Sequence, residues 1–489
     1  MSKEKVKNKK KISTITRTMC FISLIILGVF LYVIYKLNVL PIKYFYYISI
    51  GLGILWLIYF LISLNSKLKS FVLIIVNILA VIFMIGEIYA TRELYRTYDF
   101  LNNGLQVKST KDIYYVVSNK NSSYNTKADI KDKIVYYYDD IDEIEKLKEI
   151  VIKKLKVNLK EVENYYDLFD KLLEDNEKII LINSGSYDAL IENDEKYKDN
   201  LKKIEEIEFE KILESINNKD NIMNEPFTIY LSGIDTRTDS MPSRSLSDVN
   251  MFIVVNPETR KILMVNIPRD YYVQLHGTKG LKDKLTHAGI VGGLELSKAT
   301  VEDILDAKAD YYARVNFNSV IKLVDAIGGI TINSDVNYSF RCWTDKSCLF
   351  KPGNNPVGGK CALAFARERH AYKSGDIHRG ENQQQVIRLI VEKLSSSKNL
   401  IQNYGDILKA LEGTFESNLS TDNITSVVQF QLNDMRPWTF ETSNLTGTGG
   451  NEPTYSYPKS ILSVMFPTKQ TIEDAKLKIK EVLNEKEVD

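Results

Sequence analysis

Cysteine is scarce, with four in 489 residues. That is too few for a disulfide-built scaffold, while the length allows two or three domains with a real core. Cys20 stands at the edge of an apolar run, and Cys361 lies in an apolar helical pattern that reads as core. Cys342 and Cys348 sit in one polar loop, a spacing that either closes a small ring or arises by chance. No histidine or further cysteine lies close to them, so they suit metal poorly. Excess charge of one sign is also lacking. A formal net charge of +1 gives no global attraction to nucleic acid, and no DNA-binding motif is present. Several catalytic signatures are missing: the G-x-S-x-G elbow, H-E-x-x-H, a P-loop, and a G-x-G-x-x-G after a strand. His287 and His370 are isolated in the sequence and read as structural.

What is there is unevenly spread. The first 17 residues carry Lys3, Lys5, Lys7, Lys9, Lys10, Lys11 and Arg17 against the single acid Glu4. Apolar runs follow at 19–37, 44–64 and 70–90, each close to the ~20 residues that a helix needs to cross hydrocarbon. The first is too long for a signal peptide, lacks a small-residue cleavage site, and is followed by two more spans. The lysine and arginine bias puts the N-terminus inside. Lys67 and Lys69 agree and Lys43 weakly disagrees, so everything after about residue 91 is expected outside. Tyr44, Tyr46, Tyr47, Trp56 and Tyr59 read as interface anchors, and the three helices as an anchor only.

Between 105 and 222 short β-rich runs (Ile113–Val117, Ile134–Tyr138, Lys178–Asn183) alternate with amphipathic helical stretches (Asp142–Lys156, Asn158–Asp175). Ser184, Gly185 and Ser186 read as a turn, and the Glu/Lys-rich stretch 192–221 as a solvated helical face. This pattern is that of a small α/β domain and holds no catalytic constellation.

From Pro226 onward, charged residues cluster at the ends of elements. The strand Phe227–Leu231 runs into Ser232-Gly233-Ile234-Asp235-Thr236-Arg237. Arg244 and Asp248 precede Met251–Val255, and Ile262–Ile267 ends in Pro268-Arg269-Asp270. Strand ends meet at one edge of a sheet, where α/β folds place ligands. Ala362–His370 is helical, with Arg367 and Arg369 diverging by about 200° on a regular helix; both reach one ligand only if the helix stops there. Asp376 opens another helix on which Arg379 and Gln383 share a face. Arginine binds phosphate through two parallel hydrogen bonds and keeps its charge. Asp235 and Asp248 are hard oxygen ligands of the kind that hold Mg²⁺ beside phosphate. Arginines with a carboxylate-held cation fit phosphoryl transfer.

The strings SGIDTR, SDVNM, NIPRDYYV, KDKLTHAG, VNFNSVIKLVDAIGGITI, GGKCALAFARERH and GDIHRGENQQQVI resemble, in order, the motifs of LytR-CpsA-Psr domains. The resemblance covers about 224–480, and the three spans with an added domain are similar to the capsule-associated CpsA branch. It implies an α-β-α catalytic domain with a mixed central sheet and an apolar tunnel for a polyprenyl chain. The small α/β accessory domain and three N-terminal transmembrane helices complete the expected architecture. The implied division is a basic cytoplasmic tail at 1–18, transmembrane helices at 19–90, a connector at 91–104, the extracellular accessory domain at 105–222, the catalytic domain at 223–480 and a tail at 481–489.

By the same resemblance, Asp235 and Asp248 bind Mg²⁺ or Mn²⁺. Arg269, Arg367, Arg369 and Arg379 grip a pyrophosphate, joined by Gln383, Lys284 and Arg244. Arg244 stands four residues before Asp248, where the family often has arginine two before; Leu246 holds that place here. Asp270 or Asp376 takes the acceptor's proton, and Val320–Ile327 with Gly329–Ile332 supplies tunnel wall. The implied activity moves a glycopolymer (capsular polysaccharide, teichoic acid or similar) from a polyprenyl pyrophosphate to a peptidoglycan hydroxyl, at the cell membrane and without nucleic acid. Two alternatives share these residues: a pyrophosphatase acting on the same carrier, and a non-catalytic sensor of lipid-linked wall intermediates.

Overall fold

The computed structural model describes residues 3–38, 40–65, 68–99, 109–138, 144–162, 165–193, 197, 199–212, 222–234, 241–373, 375–395, 404–411 and 414–487. Three apolar helices come first: α1 (Lys3–Leu37), α2 (Ile42–Leu64) and α3 (Ser70–Asp99). Each contains a stretch long and apolar enough to cross a membrane. Helix α3 runs on to Asp99, past residue 91 where a connector was expected. No glycine or proline interrupts it there, and Glu93 and Arg96 pair one turn apart. Polar side chains join the helices. Asn77 Nδ2 donates to Thr16 Oγ1 (3.1 Å), Tyr59 OH donates to Asn77 Oδ1 (3.1 Å), and Trp56 Nε1 donates to the Cys20 carbonyl (3.2 Å). Tyr59 is therefore buried between helices and is not the interface anchor expected of it.

The accessory region is a mixed five-stranded sheet, order β3-β2-β4-β1-β5, built from β1 (Ser109–Asn119), β2 (Ile134–Tyr137), β3 (Asn158–Glu161), β4 (Ile179–Asn183) and β5 (Leu201–Ile212). Helices α4 (Ile144–Leu155), α5 (Tyr165–Glu174) and α6 (Ser184–Asn193) cover it. Three expectations fail here. Asn158–Glu161 is a strand, Ser184–Ser186 opens a helix, and part of the supposed helical face 192–221 is β5. The Lys/Glu composition of β5 suits a helix, but Ile207 and Phe209 alternate inward against the long partner β1. Pairing and burial outweigh helix propensity.

The region from Phe227 onward is a mixed six-stranded sheet. Its strands are β6 (Phe227–Ile234), β7 (Ser247–Asn256), β8 (Lys261–Ile267), β9 (Tyr311–Asn316), β10 (Phe415–Ser417) and β11 (Thr439–Asn444), in the order β10-β9-β6-β7-β8-β11. β6-β7 and β7-β8 are antiparallel; β9 and β11 join in parallel. Further helices are α7 (Gly293–Leu305), α8 (Phe317–Ala326), α9 (Gly359–Ala366), α10 (Asp376–Leu394), α11 (Tyr404–Leu411), α12 (Thr421–Asn433) and α13 (Lys469–Asn484). One face of the sheet packs Tyr230, Phe252, Leu263 and Val265 against Val301 of α7 and Ile479 of α13. The other packs Met251, Ile253 and Met264 against Ile387 and Val391 of α10 and Phe430 of α12. This is the α-β-α layering expected of the sequence, because each strand alternates two apolar faces that both need cover.

The two regions share a core. Val117, Phe169 and Leu190 of the accessory sheet and helices cluster with Ile290, Tyr457 and Leu462, and the Phe169 and Tyr457 rings stack at 6.0 Å. Fully buried Asp112 accepts from the Ser243 amide (2.6 Å) and from the Ser243 hydroxyl. Burial raises its pKa despite the Ser243 bonds and nearby Arg244. Gly185 lies so close to the Arg244 carbonyl that a Cβ would collide with it.

The bridged cysteines are Cys348 and Cys361, which corrects both the small-ring option and the reading of Cys361 as a core thiol. Cys342 faces Cys348 across a short antiparallel pair, its amide donating to the Cys348 carbonyl at 3.1 Å. Its own thiol stays free and buried, and burial pushes it up to about 12. Digestion of the unreduced protein should release the Cys348 and Cys361 peptides joined, with Cys342 alkylated only after unfolding. A joined Cys342–Cys348 peptide in the mass spectrum would refute this pairing.

Candidate active site

The site begins with a defect in the sheet. Gly233 pairs with Val249 and Ile234 with Ser247, so Asp248 is an extra residue between two registered pairs. Such bulges bend a strand and re-aim a side chain. Asp248 lines a cavity of about 560 Å³ under the sheet, where it accepts from Arg269 Nη1 at 2.7 Å. Arg269 follows β8 at the same edge and also lines the cavity. Burial works against its charge, but Asp248, Asp270 and Asp376 outweigh burial and raise its pKa.

Two further guanidiniums come from the end of α9. The helix stops at Ala366, with Arg367 as its C-cap, meeting the condition that the sequence set for Arg367 and Arg369 to converge. Buried Glu368 fixes the turn by accepting from the His370 amide (2.6 Å), the Ala371 amide (3.1 Å) and the Trp343 amide (2.5 Å). Arg367 and Arg369 therefore line the same cavity. The Arg367 guanidinium lies 4.1 Å from the Phe317 ring centroid, a stacking geometry that arginine favours.

The fourth guanidinium starts a stripe along α10. Arg379, Gln383, Val386, Ile387, Ile390, Val391 and Leu394 all line the cavity, spaced as one face of a helix. Fifteen residues at 1.5 Å each make the stripe about 22 Å long, polar at its start and apolar thereafter. Gly375, at φ 51°, caps α10 in a conformation that glycine tolerates. A Cβ at Gly380 would collide with the Asn266 side chain, so the glycine lets α10 lie against the end of β8. Gln384 Nε2 holds it there by donating to the Met264 carbonyl (3.0 Å) and the Ser443 carbonyl (3.2 Å). Arg379 is bound to both Asp376 oxygens (2.8 and 3.0 Å). Burial and neighbouring Arg269 lower its pKa, against the pull of Asp376.

Not every predicted residue reaches this cavity. Asp270 pairs with Lys284 Nζ at 2.5 Å, and neither lines it. Burial opposes the Asp270 charge, but Lys284 and Arg269 win and lower its pKa. Arg244 is buried against the Val291 carbonyl in the joint with the accessory region. The family resemblance sets it among the pyrophosphate-binding residues, with its spacing of four before Asp248 the one departure from the family pattern. Asp235 and Arg237 lie outside the described residues. Of the expected tunnel wall, Val320 and Leu323 line the cavity with Phe317, while Ile330 and Ile332 of the strand Ile330–Ser334 do not line it and pack behind them in one cluster with Phe340 and Phe350. His370, read from the sequence as structural, is exposed and lines the cavity, its ring tilted at 4.6 Å from that of Trp343. Trp343 and Thr344 line it too; they escaped the sequence reading because they sit in a loop with no periodic signal. His287, by contrast, is buried against Asp283 at 2.6 Å and is structural.

Arg269, Arg367, Arg369 and Arg379 thus line one cavity, in which Asp248 is the single lining carboxylate among the described residues. Arg379 is buried there, Arg269 and Arg367 are half-buried and Arg369 is exposed, and this gathering of positive charge suits an anion of more than one charge. Asp248 is also a hard oxygen donor at the wall, which fits a divalent cation held beside that anion. Among the described residues no group of three or more His, Cys, Asp or Glu is placed to hold a metal.

The sequence model of the LytR_cpsA_psr family matches residues 185–471, more than half of the chain. The chain belongs to the LytR-CpsA-Psr family. Its family match begins inside α6, so it takes in part of the accessory sheet. Among relatives, the Bacillus subtilis (strain 168) polyisoprenyl-teichoic acid–peptidoglycan teichoic acid transferase TagU is 36% identical over 213 residues, 44% of this chain and 65% of that protein. The Enterococcus faecalis (strain ATCC 700802 / V583) protein of the same name is 34% identical over 213 residues, 44% of this chain and 66% of the relative. The chain thus spans just under two thirds of the length of these relatives. The crystal structure of B. subtilis TagU is 30% identical with a TM-score of 0.40, covering 54% of this chain and all of that one.

Replacing Arg367 tests the grip on an anion. One charge-assisted contact to phosphate contributes about 1.5–3 kcal/mol, so Arg367→Ala should weaken pyrophosphate binding roughly 10- to 150-fold. Arg367→Lys should do almost as much harm, because lysine keeps the charge and loses the planar fork. Calorimetric titration measures both; near-native affinity for the lysine variant would defeat the bidentate assignment.

Proposed function

We propose that this chain is a membrane-anchored phosphotransferase that moves a glycan phosphate from a polyprenyl pyrophosphate to a peptidoglycan hydroxyl. The observation that carries this reading is the shape and polarity of one cavity. Arg269 and Arg379 lie together with Asp248 at the polar start of the α10 stripe, Arg367 and Arg369 line the same cavity, and apolar side chains of α10, α8 and β6 line much of the rest. A ligand that fills it has a multiply charged head and a long apolar tail. The named activity of the teichoic acid transferase relatives supports the same reading, with an anionic wall glycopolymer as the cargo.

In the proposed step the acceptor hydroxyl oxygen attacks the glycan-side phosphorus. The bond from that phosphorus to the bridging oxygen breaks, polyprenyl phosphate leaves, and the hydroxyl proton passes to a carboxylate. A loose phosphoryl transition state asks little of a base and much of charge placement. Asp270 is tied to Lys284 outside the cavity, whereas Asp376 adjoins cavity-lining Arg379, so the proton is assigned to Asp376. Asp248, with Asp235, would hold Mg²⁺, which supplies neutralisation of the phosphate charge when bound. Arg269, freed from Asp248, would then turn to the anion.

Supplied with a polyprenyl-pyrophosphate-linked glycan in vesicles and with peptidoglycan, the full chain should attach glycan covalently to the wall polymer and release polyprenyl phosphate. Chelation of divalent cations should lower the rate. Release of free glycan phosphate with no wall-linked product would make the chain a hydrolase instead.

The orientation is part of the proposal: N-terminus inside, everything after α3 outside. A cysteine replacing exposed Lys279 should react with an impermeant thiol reagent on intact cells. Labelling only after lysis would reverse the topology.

A further inference from the structure

The apolar end of the cavity lies against the membrane anchor. Leu394, at the end of the α10 stripe, shares the cavity lining with Leu411 of α11 and Phe415 of β10. Leu411 and Phe415 also belong to a second apolar cluster. Its other members are Leu37 of α1, Leu40, Leu94 and Tyr98 of α3, and Ile424, Val428 and Leu432 of α12. Leu37, Val428 and Leu432 are buried there. Polar contacts reinforce the joint. Lys43 Nζ donates to the Asn433 carbonyl at 3.1 Å, and Gln429 Nε2 donates to the Asn38 carbonyl and to its side-chain oxygen. So the ends of α1 and α3 on one side of the membrane, together with the short turn into α2, are seated on the part of the catalytic region farthest along α10 from Arg379.

A simple tether would need no such seat. Chain connectivity alone keeps the domain near the bilayer, and the packed ends of three helices add a fixed orientation. That orientation sets the apolar mouth on the membrane and turns the arginines away from it by the length of the stripe, about 22 Å. A polyprenyl tail that left the bilayer through water would be opposed at every methylene. A mouth held on the hydrocarbon removes that exposure.

Resting on the phosphotransferase reading, we propose that the joint of Leu37, Leu94 and Tyr98 with Val428 and Leu432 is the port through which the carrier's polyprenyl tail passes between the outer leaflet and the cavity. The anchor helices are then part of the lipid-binding device. The residues of the joint touch the tail's route and not its phosphates, so they act on entry and not on the chemical step.

The test uses the full chain and two substrates with the same glycan pyrophosphate head. One has a long polyprenyl tail and is embedded in vesicles; the other has a short tail and is soluble in water. Leu94→Arg breaks the joint from the anchor side and Leu432→Arg from the catalytic side, and neither residue lines the cavity. Each variant should lose transfer from the long-tailed substrate by roughly tenfold or more, the effect of exposing about two methylenes to water. Transfer from the short-tailed substrate should stay within about twofold, as for substitutions away from a site. Equal rates with the long-tailed substrate in variant and parent overturn the port. A matching fall with both substrates in both variants also overturns it, since the joint would then support the fold and not the route. If the parent chain transfers neither substrate, the phosphotransferase reading itself has failed, and the port with it.

Discussion

Guanidinium groups do not gather in a dry pocket unaided. Each loses hydration and each repels the next, and a buried cation without partners is disfavoured. In this chain the arrangement around Arg269 and Arg379 answers that constraint with carboxylates placed one per arginine. Asp248 faces Arg269 and Asp376 faces Arg379. The carboxylates hold the arginines in position; against burial they raise the pKa of Arg269 above its ordinary value, while burial lowers that of Arg379 despite Asp376. Under the proposed function, a pyrophosphate would be the anion that these guanidiniums receive. The bulge at Asp248, the halted helix at Arg367 and the close approach at Gly380 all serve to bring these groups to one edge of the sheet.

Much of this was legible in the sequence, and the reason is local. Strands such as Ile262–Ile267 announce themselves by apolar runs with β-branched residues, and the charged residues follow directly at their ends. Arg367 and Arg369 carried their own condition, that a helix end between them, and α9 supplies that end. Lys284 and Asp270 could not be placed from sequence, because their mutual ion pair depends on two short strands, Tyr272–Val273 and Asp283–Lys284, meeting. The partner of Cys348 was illegible for the same kind of reason. Cys361 looks apolar and helical in the sequence, and only packing of the Phe340–Phe350 hairpin on α9 brings it to Cys348. β5 misled by composition, since its Lys and Glu residues are good helix formers and only its long pairing with β1 makes it a strand.

The accessory sheet has a structural bearing on the site although none of its described residues lines the cavity. Asp112 anchors Ser243, and Ser243 precedes Arg244, which is locked against Val291. The segment that leads into the Asp248 bulge is therefore fixed at its far end by another region of the chain. Gly185 and the stacked Phe169 and Tyr457 rings keep that contact close. Arg244, which the family resemblance assigns to the ligand, lies instead in this joint, and Leu246 packs in the shared core.

The anchor must be stiff if it is to hold a mouth on the membrane, and the spanning helices carry the means. Apolar side chains do not drive helices together in lipid, because the lipid tails are as apolar as they are. Thr16, Tyr59 and Asn77 supply directed contacts across α1, α2 and α3, and Trp56 adds one to the Cys20 carbonyl. These lie toward the membrane side opposite the joint, so the bundle is tied at one end by hydrogen bonds and at the other by the packing of Leu37 and Leu94 on α12. A single helix could pivot about its exit point; three helices tied at both ends cannot do so freely. The three spans, read from the sequence as an anchor only, are in the proposed port what fixes the angle between cavity and bilayer.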